Sequence, residues 1–272
     1  MKIVINKSLC NYLIILSVCI SCNPLNHDII NAKNEDATVT IDSIKKHDTR
    51  NLKTAKEYFD RGIAKYFGKD YNGSIEDLNQ AMVLDPKYPE AFYRRGINKA
   101  ELQDYNGAII DFDNALKINP KTIYAYLEKG NAKFNLNDYV GAMSEYNKFI
   151  DINPNYYSYF NESYKNRGLT KLKLNDYRGA ISDFNNAIKI HPESASLYFN
   201  RGFAKSQIKE YKSAILDWNE TIKIDPKYAE AYMNRGLARI TDGQKDKGCL
   251  DFSKAGELGF IEAYDFIKKY CK

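Results

Sequence analysis

Residues 195–228 read ASLYFNRGFAKSQIKEYKSAILDWNETIKIDPKY, and residues 89–122 read PEAFYRRGINKAELQDYNGAIIDFDNALKINPKT. Laid over one another, they share an aromatic at position 4, Arg-Gly at 7 and 8, Tyr at 17, Ala at 20, an aromatic at 24 and Pro at 32. The same frame runs outward in both directions. Its glycines are Gly62, Gly96, Gly130, Gly168, Gly202 and Gly236, spaced 34, 34, 38, 34 and 34. Its prolines are Pro86, Pro120, Pro154, Pro192 and Pro226, spaced 34, 34, 38 and 34. One four-residue insertion, between Pro154 and Gly168, interrupts both series. Positions 4, 8 and 11 fall on one face of a helix, and 17, 20, 24 and 27 on one face of a second. A small residue at 8 and at 20 lets the two backbones approach, while the aromatics fill the space around them. Pro at 32 cannot continue the second helix.

A period of 34 with these fixed residues resembles the tetratricopeptide repeat. Position 4 holds Tyr58, Phe92, Tyr126, Tyr164, Tyr198 and Tyr232; position 24 holds Leu78, Phe112, Tyr146, Phe184, Trp218 and Phe252. The resemblance implies an all-α, right-handed superhelical solenoid of helix-turn-helix repeats. Six repeats are expected within 54–260, at about 55–88, 89–122, 123–156, 161–194, 195–228 and 229–260. The sixth loses Tyr at 17 and Pro at 32, as a terminal repeat does. Residues 261–272 are expected to form a C-terminal cap helix, with Phe260, Tyr264, Ile267 and Cys271 along its apolar side.

Position 7 is Arg61, Arg95, Lys129, Arg167, Arg201 and Arg235; position 23 is Asp77, Asp111, Glu145, Asp183, Asp217 and Asp251. In an antiparallel hairpin turning near position 15 these face each other, so an inter-helix ion pair is expected in every repeat. If exposed, each contributes only about 0–1 kcal/mol.

The resemblance also implies a concave groove lined by the first helices at positions 2, 5, 6, 9, 12 and 13. Position 5 (Phe59, Tyr93, Leu127, Lys165, Phe199, Met233) and position 9 (with Phe203) make that groove largely apolar. At position 6 stand Asn166, Asn200 and Asn234, the register at which such proteins hold extended peptides by the backbone. An amide both donates and accepts, so it grips a peptide bond whatever side chain follows; the alternative is a surface Asn facing solvent. The carboxylate-binding variant of the fold needs Lys at 5 with Asn at 9. Lys165 is followed by Leu169, so that mode is disfavoured. The insertion Tyr156-Tyr157-Ser158-Tyr159-Phe160 reads either as a first helix beginning one turn early or as an aromatic contact patch.

At the N-terminus, Lys2 and Lys7 precede an apolar run from Leu9 to Ile20, too short to span a bilayer. Residues 1–21 read as a signal peptide. Ile20-Ser21-Cys22 resembles the lipobox of bacterial lipoproteins, with Cys19 where Leu is usual. The resemblance implies an acylated Cys22, anchored in the membrane of an exported protein facing the periplasm or the cell surface. Plain secretion, an uncleaved anchor and a cytosolic chain stay open. Residues 22–53 read as a flexible tether. With Cys10 and Cys19 removed and Cys22 lipidated, Cys249 and Cys271 remain, an even pair in an oxidising compartment. They are equidistant from the Gly259-Phe260 turn and are expected to form a disulfide; the alternative is two buried thiols acting as small apolar residues.

Lys+Arg number 40 and Asp+Glu 35, a net charge of +5 that gives no case for nucleic acid. Three scattered histidines and the absence of HExxH, CxxC, GxSxG and a Gly-rich phosphate loop argue against a metal, a cofactor or catalysis. The reading is therefore a non-catalytic adaptor that binds protein or extended peptide in the groove. Its rivals are a structural envelope lipoprotein working through its convex face or self-association, and a small-molecule or glycan carrier or enzyme. The sequence leaves the oligomeric state open.

Overall fold

The computed structural model describes residues 52–152 and 157–271, the side chains of the second stretch from Phe160 onward. The signal peptide, Cys22, nearly all of the tether and Tyr156 lie outside the described residues. The chain divides into two compact units at Pro154/Asn155.

In the first unit, α1 (Ala55–Phe67) pairs with α2 (Tyr71–Leu84), α3 (Pro89–Glu101) with α4 (Tyr105–Ile118), and α5 (Tyr124–Asn135) with α6 (Tyr139–Ile152). In the second, α7 (Tyr157–Lys173) pairs with α8 (Tyr177–Ile190), α9 (Ala195–Gln207) with α10 (Tyr211–Ile224), and α11 (Ala229–Thr241) with α12 (Lys245–Glu257). The last helix, α13 (Ala263–Tyr270), packs on α12. Within each unit every second helix also touches the first helix of the next repeat, and successive first helices lie side by side. No strand occurs among the described residues.

Each hairpin is punctuated by the same local chemistry. Position 15 is left-handed in all six repeats, at φ 62° for Lys69, 63° for Gln103 and 82° for Gly243, for example. Its N–H closes the end of the first helix, and the next residue's N–H reaches back to position 11, as in Asp70 N to Lys65 O at 2.9 Å. Asp70, Asp104, Asp138 and Asp176 then cap the second helix, each accepting from the N–H of the Gly three residues on at 2.9 Å. The second helices of the first five repeats end at position 30, and the residue before Pro is extended, as at Asp85 (φ −135°, ψ 94°).

The core of each repeat is the position-24 side chain laid on the position-8 glycine. Leu78, Phe112, Tyr146, Phe184, Trp218 and Phe252 are all fully buried. A Cβ on Gly96 would lie 2.6 Å from the Phe112 ring, so only glycine lets that ring seat. The insertion starts α7 one turn early, giving it 17 residues against 12 or 13 for the other first helices. Phe160 from that extra turn is buried, with its ring 5.9 Å from Tyr164.

Of the expected apolar side of the cap, Phe260, Ile267 and Cys271 pack against the core cluster, and only Tyr264 departs. Ala263 and Phe266 are the buried residues, whereas Tyr264 is 48% exposed. Phe260 sits in the turn before the helix, so the packing face is set by Ala263, Phe266, Ile267 and Tyr270 pressing on the Phe252 cluster.

Candidate functional site: the faces of the first helices

The charged pairs across each hairpin come first, because they fix the helices that carry the site. Arg95 Nε donates to Asp111 Oδ2 at 2.9 Å, and the pattern recurs in Arg61–Asp77, Arg167–Asp183, Arg201–Asp217 and Arg235–Asp251. Lys129–Glu145 is the third-repeat version at 3.2 Å. The carboxylates are buried, with side chains at most 5% exposed, so these are not the surface pairs the sequence left open. A second cation at position 11 completes each site: Lys65, Lys99, Lys133, Lys171, Lys205 and Arg239, at 2.7–2.9 Å. Burial alone would push the Asp77 carboxyl up, but Arg61 and Lys65 together hold it below the usual carboxylate range. Glu145 is likewise held low, because Lys133, Lys148 and Lys129 outweigh its burial. The arginines also link repeats: Arg95, Arg201 and Arg235 donate to Asn79, Asn185 and Asn219 of the preceding repeat at 2.6–2.8 Å. Each of these charges is taken up by its neighbours, leaving a scaffold and not a charged binding surface.

On that scaffold the first helices α7, α9 and α11 carry Asn166, Asn200 and Asn234 at one register of three adjacent helices. The amides are buried, at 1%, 6% and 2% exposed, so neither an open ladder nor a solvent-facing Asn describes them. Asn200 Nδ2 donates to the Ser196 carbonyl one turn back at 2.8 Å. Asn234 Nδ2 is buried without a hydrogen-bond acceptor. Around the row, Glu162, Ser196 and Glu230 on one side and Lys173, Gln207 and Thr241 on the other are partly exposed.

The apolar lining is corrected as well. Leu127, Phe199 and Met233 are 2%, 0% and 1% exposed, and Phe203 is 8% exposed. Phe199 lies under the Tyr228 ring at 4.9 Å, with Trp218 Nε1 donating to its carbonyl, and Met233 is covered by the cap cluster. Phe59 and Tyr93 remain partly exposed, against Tyr88 at 4.9 Å and Phe112 at 5.9 Å. Position 5 is therefore core at Leu127, Phe199 and Met233 and partly exposed at Phe59, Tyr93 and Lys165, and in the second unit the accessible face is polar.

The first unit differs at the same register. Asp60, Arg94 and Glu128 replace the amides; Asp60 meets Lys56 at 3.2 Å and Glu128 accepts from Asn131 at 3.1 Å. Nearby, the Tyr66 phenol is pushed up by burial and then by Glu101, Tyr71 and Glu128. The amide row thus belongs to the second unit alone.

Cys249 and Cys271 are joined, with their Cα atoms 5.7 Å apart. Among the described residues, no group of three His, Cys, Asp or Glu is placed to hold a metal ion, and no helix is long and apolar enough to cross a membrane. His191 is the exposed residue after α8, in the turn before Pro192. What the sequence reading missed, the position-11 cation and the position-25 amide, was signalled by the recurrence of Lys and Asn at those positions in repeat after repeat.

Three solved structures place this architecture. MamA is 25% identical, with 62% of this chain and 96% of that one covered at a TM-score of 0.57. YrrB, described as a TPR protein with an unusual peptide-binding site, is 16% identical over 70% of this chain and 97% of its own, at 0.62. PilF of Pseudomonas aeruginosa is 14% identical over 79% and 97%, at 0.66. The last two show likeness of fold alone. No curated protein matches the chain by sequence. Residues 89–122 and 123–156 match the family described as the tetratricopeptide repeat, and residues 168–208 match a second TPR repeat family. The helix pairs within residues 89–156 match the tetratricopeptide repeat, and the other pairs repeat the same helix-turn-helix packing.

Proposed function

We propose that this chain is a non-catalytic adaptor of the bacterial cell envelope. It binds a protein or extended peptide on the face made by α7, α9 and α11, and an acylated Cys22 tethers it to the membrane. The observation that carries the reading is the Asn234 amide. A buried NH2 without an acceptor costs about 1–3 kcal/mol, and Asn234 stands in register with Asn200, whose amide is satisfied within its own helix. A peptide carbonyl laid across the polar rim would supply the missing acceptor once the side chain turns outward. Glu162, Ser196, Glu230 and Gln207 would give that peptide further polar contacts.

The test is selection from a phage-displayed library of unstructured peptides. The wild-type chain should enrich binders, and replacing Asn166, Asn200 and Asn234 together by Ala should abolish the enrichment while the helical signal stays intact. Equal enrichment by the triple variant would remove the amide row from the account.

A second reading has its own observation. Ile110, Val140, Leu216 and Leu250 are 61%, 67%, 65% and 70% exposed on second helices. Apolar residues there suit a structural role through the opposite face or through self-association.

A further inference from the structure

The end of the second unit is closed by the shortest helix among those described. α13 has eight residues, about two turns, well under the ~12–15 that an isolated helix needs to persist in water. Beneath it lie Met233, Leu237, Phe252 and Ala255, each no more than 1% exposed. In the preceding repeat the equivalent surface, around Phe199 and Trp218, is covered by the 13-residue α11, which continues into its own hairpin. α13 does this work with two buried side chains, Ala263 and Phe266, the partly buried Ile267 and Tyr270 beside them, and a ring contact of Phe266 to Phe252 at 5.6 Å. Its outer face carries Asp265, Lys268 and Lys269 in solvent. Lys268 stands where every other first helix has its position-8 glycine, so no second helix fits closely against it.

A covalent bond makes up the difference. Cys249 comes from α12 and Cys271 is the residue that ends α13, so the bridge pins the far end of the cap to the last repeat. At the near end the chain turns at Gly259, whose φ of 96° suits a hinge. The bridge is not sealed in the core. Both cysteines are partly exposed and line a surface depression with Lys245, Asp246, Leu250, Ser253 and Ile267.

We propose that the Cys249–Cys271 bridge is a redox latch, and that a dithiol reductant opens it to release α13 from the end of the repeat stack. The thiolate of the reductant attacks one sulfur of the bridge. The Cys249–Cys271 bond breaks, a mixed disulfide forms and the other cysteine leaves as a thiolate. The second thiol of the reductant then displaces the bound cysteine. Two electrons and two protons pass to the protein, and the reductant departs as its own disulfide. The cap, an eight-residue helix left with only its apolar contacts, frays about the Gly259 turn and bares Met233, Leu237 and Phe252. In oxidising surroundings the stack is closed and inert at this end; in reducing surroundings it presents an apolar end.

Hydrogen exchange on the full chain tests this, before and after dithiothreitol, with alkylation and mass spectrometry confirming that both thiols are free. Amides of 263–270 should lose protection by about tenfold or more, while those of α7–α10 keep theirs. A Cys249→Ser/Cys271→Ser double variant should show the open pattern without reductant and no response to it. Three results would overturn the latch: unchanged protection in 263–270 once both thiols are free, a bridge that excess dithiothreitol fails to open in the folded protein, or an equal loss of protection across α7–α12. The last would make the bridge a plain stabiliser of the whole unit.

Discussion

Arg201 clamps Asp217 across the fifth hairpin, its Nε donating to Oδ2 at 3.0 Å, and the carboxylate side chain is only 5% exposed. Lys205 meets the same carboxylate at 2.8 Å, and Arg201 also reaches Asn185 of the preceding repeat at 2.7 Å. Removing the acid strands two cations in a desolvated site. Asp217→Ala should therefore destabilise the second unit by about 3–5 kcal/mol. Lys223→Ala, which breaks the exposed pair with Glu220, should cost within about 0.5 kcal/mol. Urea unfolding measures both, and equal costs would mean that burial of the clamp adds nothing.

The same clamp gives the first unit an acid limit. Asp77 and Glu145 are held below their ordinary values by their cations. A carboxylate with a depressed folded pKa adds stability that is fully present above its unfolded value and is lost as pH falls through the folded one. Protection of α1, α2, α5 and α6 should thus weaken as pH drops below about 4. Asp77→Asn with Glu145→Gln should flatten that slope at the cost of lower stability near neutrality. Hydrogen exchange from pH 6 down to pH 2 reads it, and an unchanged acid slope in the double variant would refute the assignment.

Packing of ring on glycine makes a third prediction. A Cβ at Gly96 would meet the Phe112 ring at 2.6 Å, whereas at Gly62 the facing Leu78 lies 3.1 Å away. Gly96→Ala should cost about 1–3 kcal/mol through overpacking. Adding Phe112→Leu, which imitates the first repeat, should recover part of that loss. Thermal unfolding of the single and double variants decides, and a double variant no better than the sum of its parts would contradict the contact.

Much of this molecule was legible because repeats average out local noise. The 34-residue spacing gave the hairpins, and the paired change to Lys129 and Glu145 in one repeat marked positions 7 and 23 as neighbours. The symmetry of Cys249 and Cys271 about the Gly259 turn likewise brought them together. The accessible face was not legible. A helical wheel puts Phe199 and Met233 on the groove side, but it does not carry the Tyr228 ring of the next linker or the cap helix that cover them. Nor does it tell an exposed amide from one sunk beside its own backbone, as Asn200 is against Ser196. The cap's apolar spacing found Phe260, Ile267 and Cys271 but missed Ala263 and Phe266, its two buried side chains.

The anchor makes a fourth prediction. Intact mass spectrometry of the protein purified from membranes should find Cys22 as the first residue, bearing acyl chains. An unmodified Cys22, or a retained Met1, would remove the tether from the proposed function.

The central claim is that partners bind on the first-helix face of the second unit. A photoreactive side chain placed at Gln207, on that face, should cross-link a distinct protein or peptide in envelope preparations. The same probe at Leu216, on the second helix α10, should yield none. Adducts from Leu216 with none from Gln207, whether to another protein or to a second copy of this chain, would contradict the account and favour the opposite face.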